Sequence, residues 1–201
     1  VIAVPGNISG PYDELAHRLN KTWDFAKDNV ETTTEYPITH HLFDFQYDSV
    51  LNALRDNGLN NADNDKVKVM FVPAYLNGDD GIFKITYYDM LAGVDLTVFP
   101  SYYEPWGYTP LESVAFGVPT VTTSPRGFGQ WVLSSGNNGF DKSGVDVVLR
   151  NDSNYGDVVE KVSQDMLALS NASAEAMASF SAAARKTADK AEWNYFITYY
   201  I

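Results

Sequence analysis

The sequence contains no cysteine. This excludes disulfide bonds, cysteine metal ligands and a cysteine nucleophile, and it fits a reducing compartment. Basic residues are also scarce, because 14 Lys and Arg stand against 26 Asp and Glu and leave a formal net charge of -12. Broad binding to nucleic acid depends on phosphate neutralisation by Lys and Arg, so this charge argues against nucleic acid as a partner. A neutral polymer requires no such match of charge.

Long hydrophobic runs are absent as well. No apolar stretch reaches the length that crosses a bilayer, and the first residues lack the basic flank of a signal peptide. We therefore expect a cytoplasmic protein without a membrane partner. The 201 residues, 45% of them hydrophobic, are enough for one globular domain with a full core. Because the chain opens and closes inside apolar patterns, at Val1 and Ile201, we expect the natural chain to continue at both ends.

Predicted strands and helices alternate along the chain. Short apolar segments predict strands at residues 1–4, 67–72, 95–99, 118–123 and 145–149. Helical periodicity predicts helices at residues 11–30, 47–57 and 83–91 and from Tyr155 to the end, with Gly58 closing the second. This alternation is typical of α/β proteins with a doubly wound, Rossmann-like parallel sheet, in which ligands bind at the carboxyl ends of the strands.

Residues 99–112 carry the strongest chemical signal, the run Phe-Pro-Ser-Tyr-Tyr-Glu-Pro-Trp-Gly-Tyr-Thr-Pro-Leu-Glu. The run predicts a helix start, with Thr109 as N-cap and Pro110 as the first helical residue. Gly107 lets a ligand approach the free amides of that start, which favour an anion. Glu104 and Glu112 offer acceptors for sugar hydroxyls. The combination predicts a site for a sugar attached to a phosphate.

The same run closely resembles the glycogen synthases of animals and fungi, glycosyltransferase family 3. Gly-Val-Pro-Thr-Val-Thr at residues 117–122 and Gly-Phe-Gly at 127–129 strengthen the resemblance, which extends from about Thr39 to about Val148. It implies the C-terminal, donor-binding half of a two-domain GT-B fold. We expect residues 1–186 to form this nucleotide-sugar-binding domain, truncated at its N-terminus. Residues 187–201 would then begin a C-terminal helix that packs back across the two domains.

The resemblance also implies an activity, the transfer of glucose from UDP-glucose to the non-reducing end of an α-1,4-glucan with retention of configuration. No metal or other cofactor would be required. Glu104 would hold the donor glucose and stabilise positive charge at its anomeric carbon, and Glu112 would bind the ribose. The remaining donor-binding residues would be Gly107, Tyr108 and Thr109 at the distal phosphate, Tyr87 against the uracil, and Trp106, which we expect to shape the loop rather than contact ligand.

Four further residues are weaker candidates. By itself the pair at His40 and His41 is more typical of a satisfied loop network than of a metal site, but the resemblance places His40 at the mouth of the donor site. Gly127 and Gly129 follow a predicted strand. Either the geometry of a turn or contact with a ligand would explain why glycine stands at these positions. Arg126 has no clear counterpart in the family and would either meet phosphate or stay solvated.

The departures from the family bear on activity, control and assembly. The phosphate-binding Arg and Lys and the acceptor-binding N-terminal domain lie upstream in the family, so we expect this chain alone to be inactive. Only Arg185, Lys186 and Lys190 are basic where the family has an arginine-rich helix, which predicts no activation by glucose 6-phosphate. The sequence leaves open whether the chain forms a homo-oligomer. Two alternatives remain: a related GT-B transferase with another sugar donor or acceptor, and a noncatalytic nucleotide- or sugar-binding module.

Overall fold

A computed structural model describes residues 1–3, 6–11, 38–125 and 127–199. The chain divides into two compact units, Val1–Met90 and Leu91–Ile201. Apart from Pro11, the helix predicted at residues 11–30 lies outside the described residues, as do Val4 and Arg126. None of the helices in the described part combines the length and hydrophobicity of a membrane span.

The first unit contains two short pairs of strands. Strand β1 (Ile2–Ala3) pairs in parallel with β4 (Phe71–Val72), whereas β2 (Ile8–Pro11) pairs antiparallel with β3 (His40–Leu42). The antiparallel pair was not predicted. Helix α1 (Ser49–Asp56) begins where the Asp48 carboxylate accepts the Leu51 N–H at 2.8 Å and is closed by Gly58 at φ +68°, as predicted. The core beneath these elements contains Ile38, Leu51, Leu54 and Phe71.

Two predicted elements in this unit are shorter than expected, because side chains bind backbone groups that a regular element would have used. The strand predicted at 67–72 covers only 71–72, since Asn61 bonds both the N–H and the carbonyl of Val69, at 2.7 and 2.8 Å. The helix predicted at 83–91 is α2 (Tyr87–Leu91). The Asp80 carboxylate accepts the N–H groups of Ile82, Phe83 and Lys84 and holds them in a turn. Lys84 has φ +56°, which a right-handed helix does not contain, so the helix cannot run through this residue.

The second unit is built on a parallel sheet in the order β5 (Thr97–Phe99), β6 (Thr120–Thr123) and β7 (Val145–Val148). Helix α3 (Tyr108–Ala115) connects β5 to β6, which confirms the predicted strand–helix–strand unit. The other helices are α4 (Phe128–Ser134), α5 (Phe140–Ser143), α6 (Tyr155–Ser170), α7 (Ala174–Lys190) and α8 (Trp193–Phe196), followed by a 3₁₀ turn at Ile197–Tyr199. The continuous helix predicted from Tyr155 is therefore interrupted, and Ser173 caps α7 anew by accepting the Ala176 N–H.

Helices cover both faces of this sheet. Val145 and Val147 point to one face and pack with residues of α3, α4 and α7, among them Val114, Phe128 and Ala184. Val148 points to the other face, where it packs with Val121 of β6 and Val158 of α6. This alternation follows from the two-residue period of a strand. The sheet is buried on both faces, and buried Thr residues of β6 form hydrogen bonds, such as that of Thr123 Oγ1 to the Ser101 carbonyl at 2.6 Å.

Candidate functional site

The candidate site lies where the three parallel strands of the second unit end. Parallel strands present their carboxyl ends at one edge of the sheet, so the segments after β5, β6 and β7 meet there. The segment after β5 contains Glu104, the segment after β6 contains Gly127, and Arg150 follows β7 by two residues. Direct contacts join them: Thr123 Oγ1 donates to the Ser101 carbonyl at 2.6 Å.

Helix α3 starts two residues earlier than predicted. Its N-cap is Gly107, with φ +98° and ψ 68°, which makes Tyr108 the first, Thr109 the second and Pro110 the third helical residue. The assignment of Thr109 as N-cap and Pro110 as first residue is therefore wrong. A left-handed backbone turns the chain into the helix at the glycine, and few other residues adopt this conformation at low cost. No side chain caps the start, which leaves the Gly107 and Tyr108 amides to an outside acceptor.

Glu104 lies against this helix start. A Cβ atom added to Gly107 would lie 3.2 Å from Glu104 Cγ and 3.2 Å from Pro110 Cγ, so the half-buried Glu104 side chain passes beside the glycine. Glu112 lies further along the same helix, one turn past Tyr108, and is also half-buried. The helix dipole favours negative charge at this end, both for the carboxylate and for an incoming phosphate.

Trp106 packs inward, beneath the loop. Its indole lies 6.4 Å from the Phe128 ring, 6.3 Å from Trp131 and 5.5 Å from Phe196, measured between ring centroids. Its carbonyl accepts the Phe128 N–H. These contacts fix the loop after β5 on the core of the unit and leave the indole surrounded by other rings.

Gly127 and Gly129 hold the loop after β6 close to its neighbours. A Cβ on Gly127 would lie 2.1 Å from the Trp106 carbonyl oxygen, and one on Gly129 would lie 2.4 Å from the Thr123 carbonyl oxygen. Either methyl group would push the backbones apart. The glycines are therefore required for close packing at the edge of the site. Arg126, which precedes Gly127 in the sequence, lies outside the described residues.

A cavity of about 10 Å³ lies under the loops, roughly the volume of one water-sized sphere. Glu104, Trp106, Gly107 and Gly129 line it together with Phe99, Ser101, Pro110 and Phe128. A sugar nucleotide is far larger, so it would have to lie over the loops rather than inside them. On that outer surface Tyr102, Tyr103 and Tyr108 are 62 to 69% exposed and flank Glu104 in the sequence.

Arg150 is a residue of this edge that sequence reasoning missed. Its guanidinium donates to the Pro100 carbonyl at 2.8 Å, and Cζ lies 3.4 Å from the centroid of the Tyr102 ring. A signal existed: Arg150 directly follows the predicted strand 145–149, and residues in that position share the carboxyl edge with the Glu104 loop.

Two of the predicted site residues, His40 and Tyr87, belong to the first unit. His40 is 1% exposed, and its Nε2 donates to the Asp80 carbonyl at 2.7 Å while Nδ1 lies 2.7 Å from Thr39 Oγ1. Since a carbonyl can only accept, Nε2 carries a proton. The Thr39 hydroxyl also lies 3.2 Å from the Phe71 carbonyl, to which it donates. Both ring nitrogens thus have protein partners, and the imidazole connects β3 to the loop at residues 77–84.

Tyr87 is the first residue of α2 and lies 5.6 Å from the Tyr88 ring. The helix start is stabilised by Thr86 and Asp89, since the Thr86 hydroxyl and N–H both donate to Asp89 Oδ2, at 2.7 and 3.0 Å. These bonds from Thr86, the side-chain one first, lower the pKa of the Asp89 carboxyl, while burial has a small opposite effect. Within the described ranges, no group of three or more His, Cys, Asp or Glu side chains could hold a metal ion.

Comparison with known proteins finds glycogen synthases among the proteins to which this chain is similar. The glycogen [starch] synthase isoform 2 of Saccharomyces cerevisiae is 44% identical over 95 residues, which are 47% of this chain and 14% of that protein. The glycogen [starch] synthase of Neurospora crassa is 37% identical over 129 residues, or 64% of this chain and 18% of that protein. The human liver glycogen [starch] synthase is 44% identical over 91 residues, or 45% and 13%.

The matched segments thus span less than a fifth of the length of these relatives. A model of the glycogen synthase family matches residues 26–201, which include the whole of the second unit and its carboxyl-edge site. Since this match covers more than half of the sequence, the chain belongs to the glycogen synthase family.

Proposed function

We propose that this chain forms the donor-binding half of a retaining glucosyltransferase, which adds glucose from UDP-glucose to the non-reducing end of an α-1,4-glucan. Family membership supports the proposal. One observation carries it: the Glu104 side chain lies against the uncapped start of α3, at the carboxyl edge of a parallel sheet. This arrangement offers an anion site and a sugar-binding carboxylate side by side.

In this proposal the distal phosphate of the donor binds at the start of α3. The amides of Gly107 and Tyr108 donate to its oxygens, together with the exposed Thr109 hydroxyl, and the helix dipole offsets its charge. Amides and basic side chains neutralise the leaving pyrophosphate, so we expect no metal or other cofactor. Fixed dipoles of this kind commonly supply a large share of the rate enhancement.

The remaining donor contacts are those that the resemblance to the family implies. Glu104, next to the phosphate site, accepts hydrogen bonds from glucose hydroxyls and stabilises the positive charge that develops at the anomeric carbon. Glu112, one turn along α3, binds the ribose hydroxyls, and Tyr87 stacks on the uracil. Trp106 shapes the loop from below, as its packing against Phe128 supports.

The proposed reaction breaks the bond between the anomeric carbon and the phosphate oxygen and forms a bond to the acceptor 4-oxygen. The acceptor attacks from the face that the phosphate leaves, which retains configuration. Its hydroxyl proton passes to the departing phosphate, and UDP and the lengthened glucan are released. Because phosphate takes the proton, the step needs no general acid of the kind that glycosidases use.

The wider architecture is also proposed. Residues 1–186 would form the Rossmann-like, doubly wound C-terminal domain of a GT-B fold, and residues 187–201 would begin the helix that returns across both domains. The partners would be UDP-glucose, glycogen and an acceptor-binding N-terminal domain. The protein would be cytoplasmic and could form a homo-oligomer. Without that domain the chain would bind the donor but not transfer glucose.

Replacing Glu104 tests the proposal directly. In the full-length protein that carries this sequence, Glu104→Gln should slow glucose transfer from UDP-glucose to glycogen by about a hundredfold, the effect of losing one transition-state contact. UDP binding should change little, because the side chain contacts the sugar. Glu160→Gln on α6 is the matched control, since Glu160 is exposed and distant in sequence from the loop.

Other outcomes would identify the alternatives. Transfer from a different nucleotide sugar, or to a different acceptor, would indicate a related transferase that shares Glu104 and Glu112. Binding of UDP without any transfer would indicate a noncatalytic module and would contradict the proposed function.

A further inference from the structure

Arg150 connects the segments that follow all three strands of the second sheet. It lies just beyond β7, and because β6 separates β7 from β5, its side chain must cross the end of β6 to reach the loop after β5. Its backbone N–H donates to Ser124 Oγ at 2.9 Å, and its Nη1 donates to the Pro100 carbonyl at 2.8 Å. The bond to Pro100 spans 50 residues of sequence.

The guanidinium of Arg150 also lies on the face of Tyr102, with Cζ 3.4 Å from the ring centroid. A cation in this position is attracted by the negative face of the ring. The planar guanidinium can make this contact and donate in its own plane to a carbonyl, which an ammonium group cannot do. Its Nε–H is buried, and no group in the described part of the chain accepts from it, so the ring and the Pro100 carbonyl determine where it lies.

Tyr102 stands two residues before Glu104, in an exposed part of the loop. The loop backbone is held at Ser101, through Thr123 and Phe99, and again at Trp106, through Phe128. Glu104 lies between these two points, and no group in the described part of the chain hydrogen-bonds its carboxylate. The position of that carboxylate therefore depends on the conformation of the loop itself.

We propose that Arg150 is a positioning residue for Glu104. By bonding to Pro100 and stacking on Tyr102, it holds the loop at residues 100–104 in the conformation that presents the Glu104 carboxylate to the donor sugar. This inference rests on the proposed function for the role of Glu104, but the effect of Arg150 on the loop can be measured separately.

The first test is kinetic and uses the full-length protein. Arg150→Lys keeps the charge but loses the planar contact, and it should lower kcat by about 10- to 100-fold, the effect of misplacing a catalytic group by roughly 1 Å. The KM for UDP-glucose should change far less, because the interaction lost belongs to the transition state. Lys142→Ala, at an exposed cation of α5, is the control and should leave both constants unchanged.

Variants of the ring separate stacking from charge. Tyr102→Phe keeps the aromatic face and should retain activity, whereas Tyr102→Leu should resemble Arg150→Lys. The double variant Arg150→Lys/Tyr102→Leu should be no slower than either single one, since both remove the same contact. Full activity in Arg150→Lys would overturn the proposal. So would a rise in the KM for UDP-glucose at unchanged kcat, which would make Arg150 a direct phosphate ligand.

The second test needs no activity. The Ser101 amide donates to the Phe99 carbonyl at 2.9 Å. Hydrogen exchange of this amide should be faster in Arg150→Lys and Tyr102→Leu than in the unmodified protein, while β6 exchanges at its usual rate. If the unmodified protein transfers no glucose but the Ser101 amide loses protection as expected, the proposed function fails and the effect of Arg150 on the loop stands. Unchanged exchange in both variants would refute the positioning role of Arg150.

Discussion

At the scale of single residues, glycines determine how closely the loops of the site can approach. Gly127 has φ +65° and lies under the Trp106 carbonyl, while Gly129 lies against the Thr123 carbonyl. The absence of a side chain at these two positions lets backbone meet backbone. Their identity is therefore explained by packing, whether or not they also contact the donor.

Replacing Gly127 should demonstrate this packing. Gly127→Ala should lower the free energy of unfolding by at least roughly 1–3 kcal/mol, because it adds a strained backbone to a clash with Trp106. Gly156→Ala is the matched control: a Cβ there meets nothing within 4 Å, in the first turn of α6. That variant should gain about 0.4–1 kcal/mol. Urea unfolding of both proteins measures the difference, and equal stabilities would contradict the packing argument.

At the scale of elements, local side-chain bonds decided where several helices and strands begin. The Asp80 carboxylate accepts the N–H groups of residues 82–84, and α2 begins only at Tyr87. There Thr86 and Asp89 cap the helix reciprocally, since each side chain accepts the backbone N–H of the other residue. Asn61 shortens β4 in the same way, by bonding both backbone groups of Val69. Hydrophobic periodicity does not register such bonds, which explains why the predicted elements existed but their bounds were wrong.

The cap of α2 should respond to pH. The pKa of Asp89 is lower in the folded protein than its ordinary value, so the cap stabilises the fold above that value and loses its effect as the pH falls through the folded pKa. Thr86→Val removes the hydroxyl bond, the largest cause, and should raise the pKa of Asp89 toward its ordinary value. Carboxyl NMR titration measures the change.

Ser173→Ala is the control for this titration. Ser173 supports the lowered pKa of Glu175 at the start of α7, second to a backbone bond within Glu175 itself, and makes no contact with Asp89 among its described hydrogen bonds. It should therefore leave the Asp89 titration unchanged. An Asp89 pKa that stays the same in Thr86→Val would contradict the capping explanation.

At the scale of the whole molecule, the small number of basic residues in α7 predicts that the protein has no sugar-phosphate sensor there. Its last turns carry Arg185, Lys186 and Lys190. The Arg185 guanidinium packs on Gly117, where a Cβ would lie 2.6 Å from its Nε, and is already committed to a contact within the protein. Several convergent cations would be needed to bind a phosphate strongly against a net charge of -12.

We therefore expect glucose 6-phosphate not to activate the full-length protein. Titration of glucose 6-phosphate during glucose transfer, together with calorimetric titration of the free protein, provides the measurement. Activation of about fivefold or more, the lower end of typical allosteric coupling, would show that other residues form the sensor. The calorimetric experiment gives an answer even if the protein transfers no glucose.

The sequence by itself determined the parallel strand–helix–strand unit and the family, because these depend on local residue order and on apolar periodicity. It also predicts the donor site at residues 99–112. Only the tertiary structure decided that Gly107 is the N-cap of α3, that His40 is enclosed by Thr39 and Asp80, and that Arg150 contacts Tyr102. These features join residues that are distant along the chain, or depend on a backbone angle that only packing selects. A pattern in one sequence carries no record of such contacts, so they become visible only once the strands lie side by side.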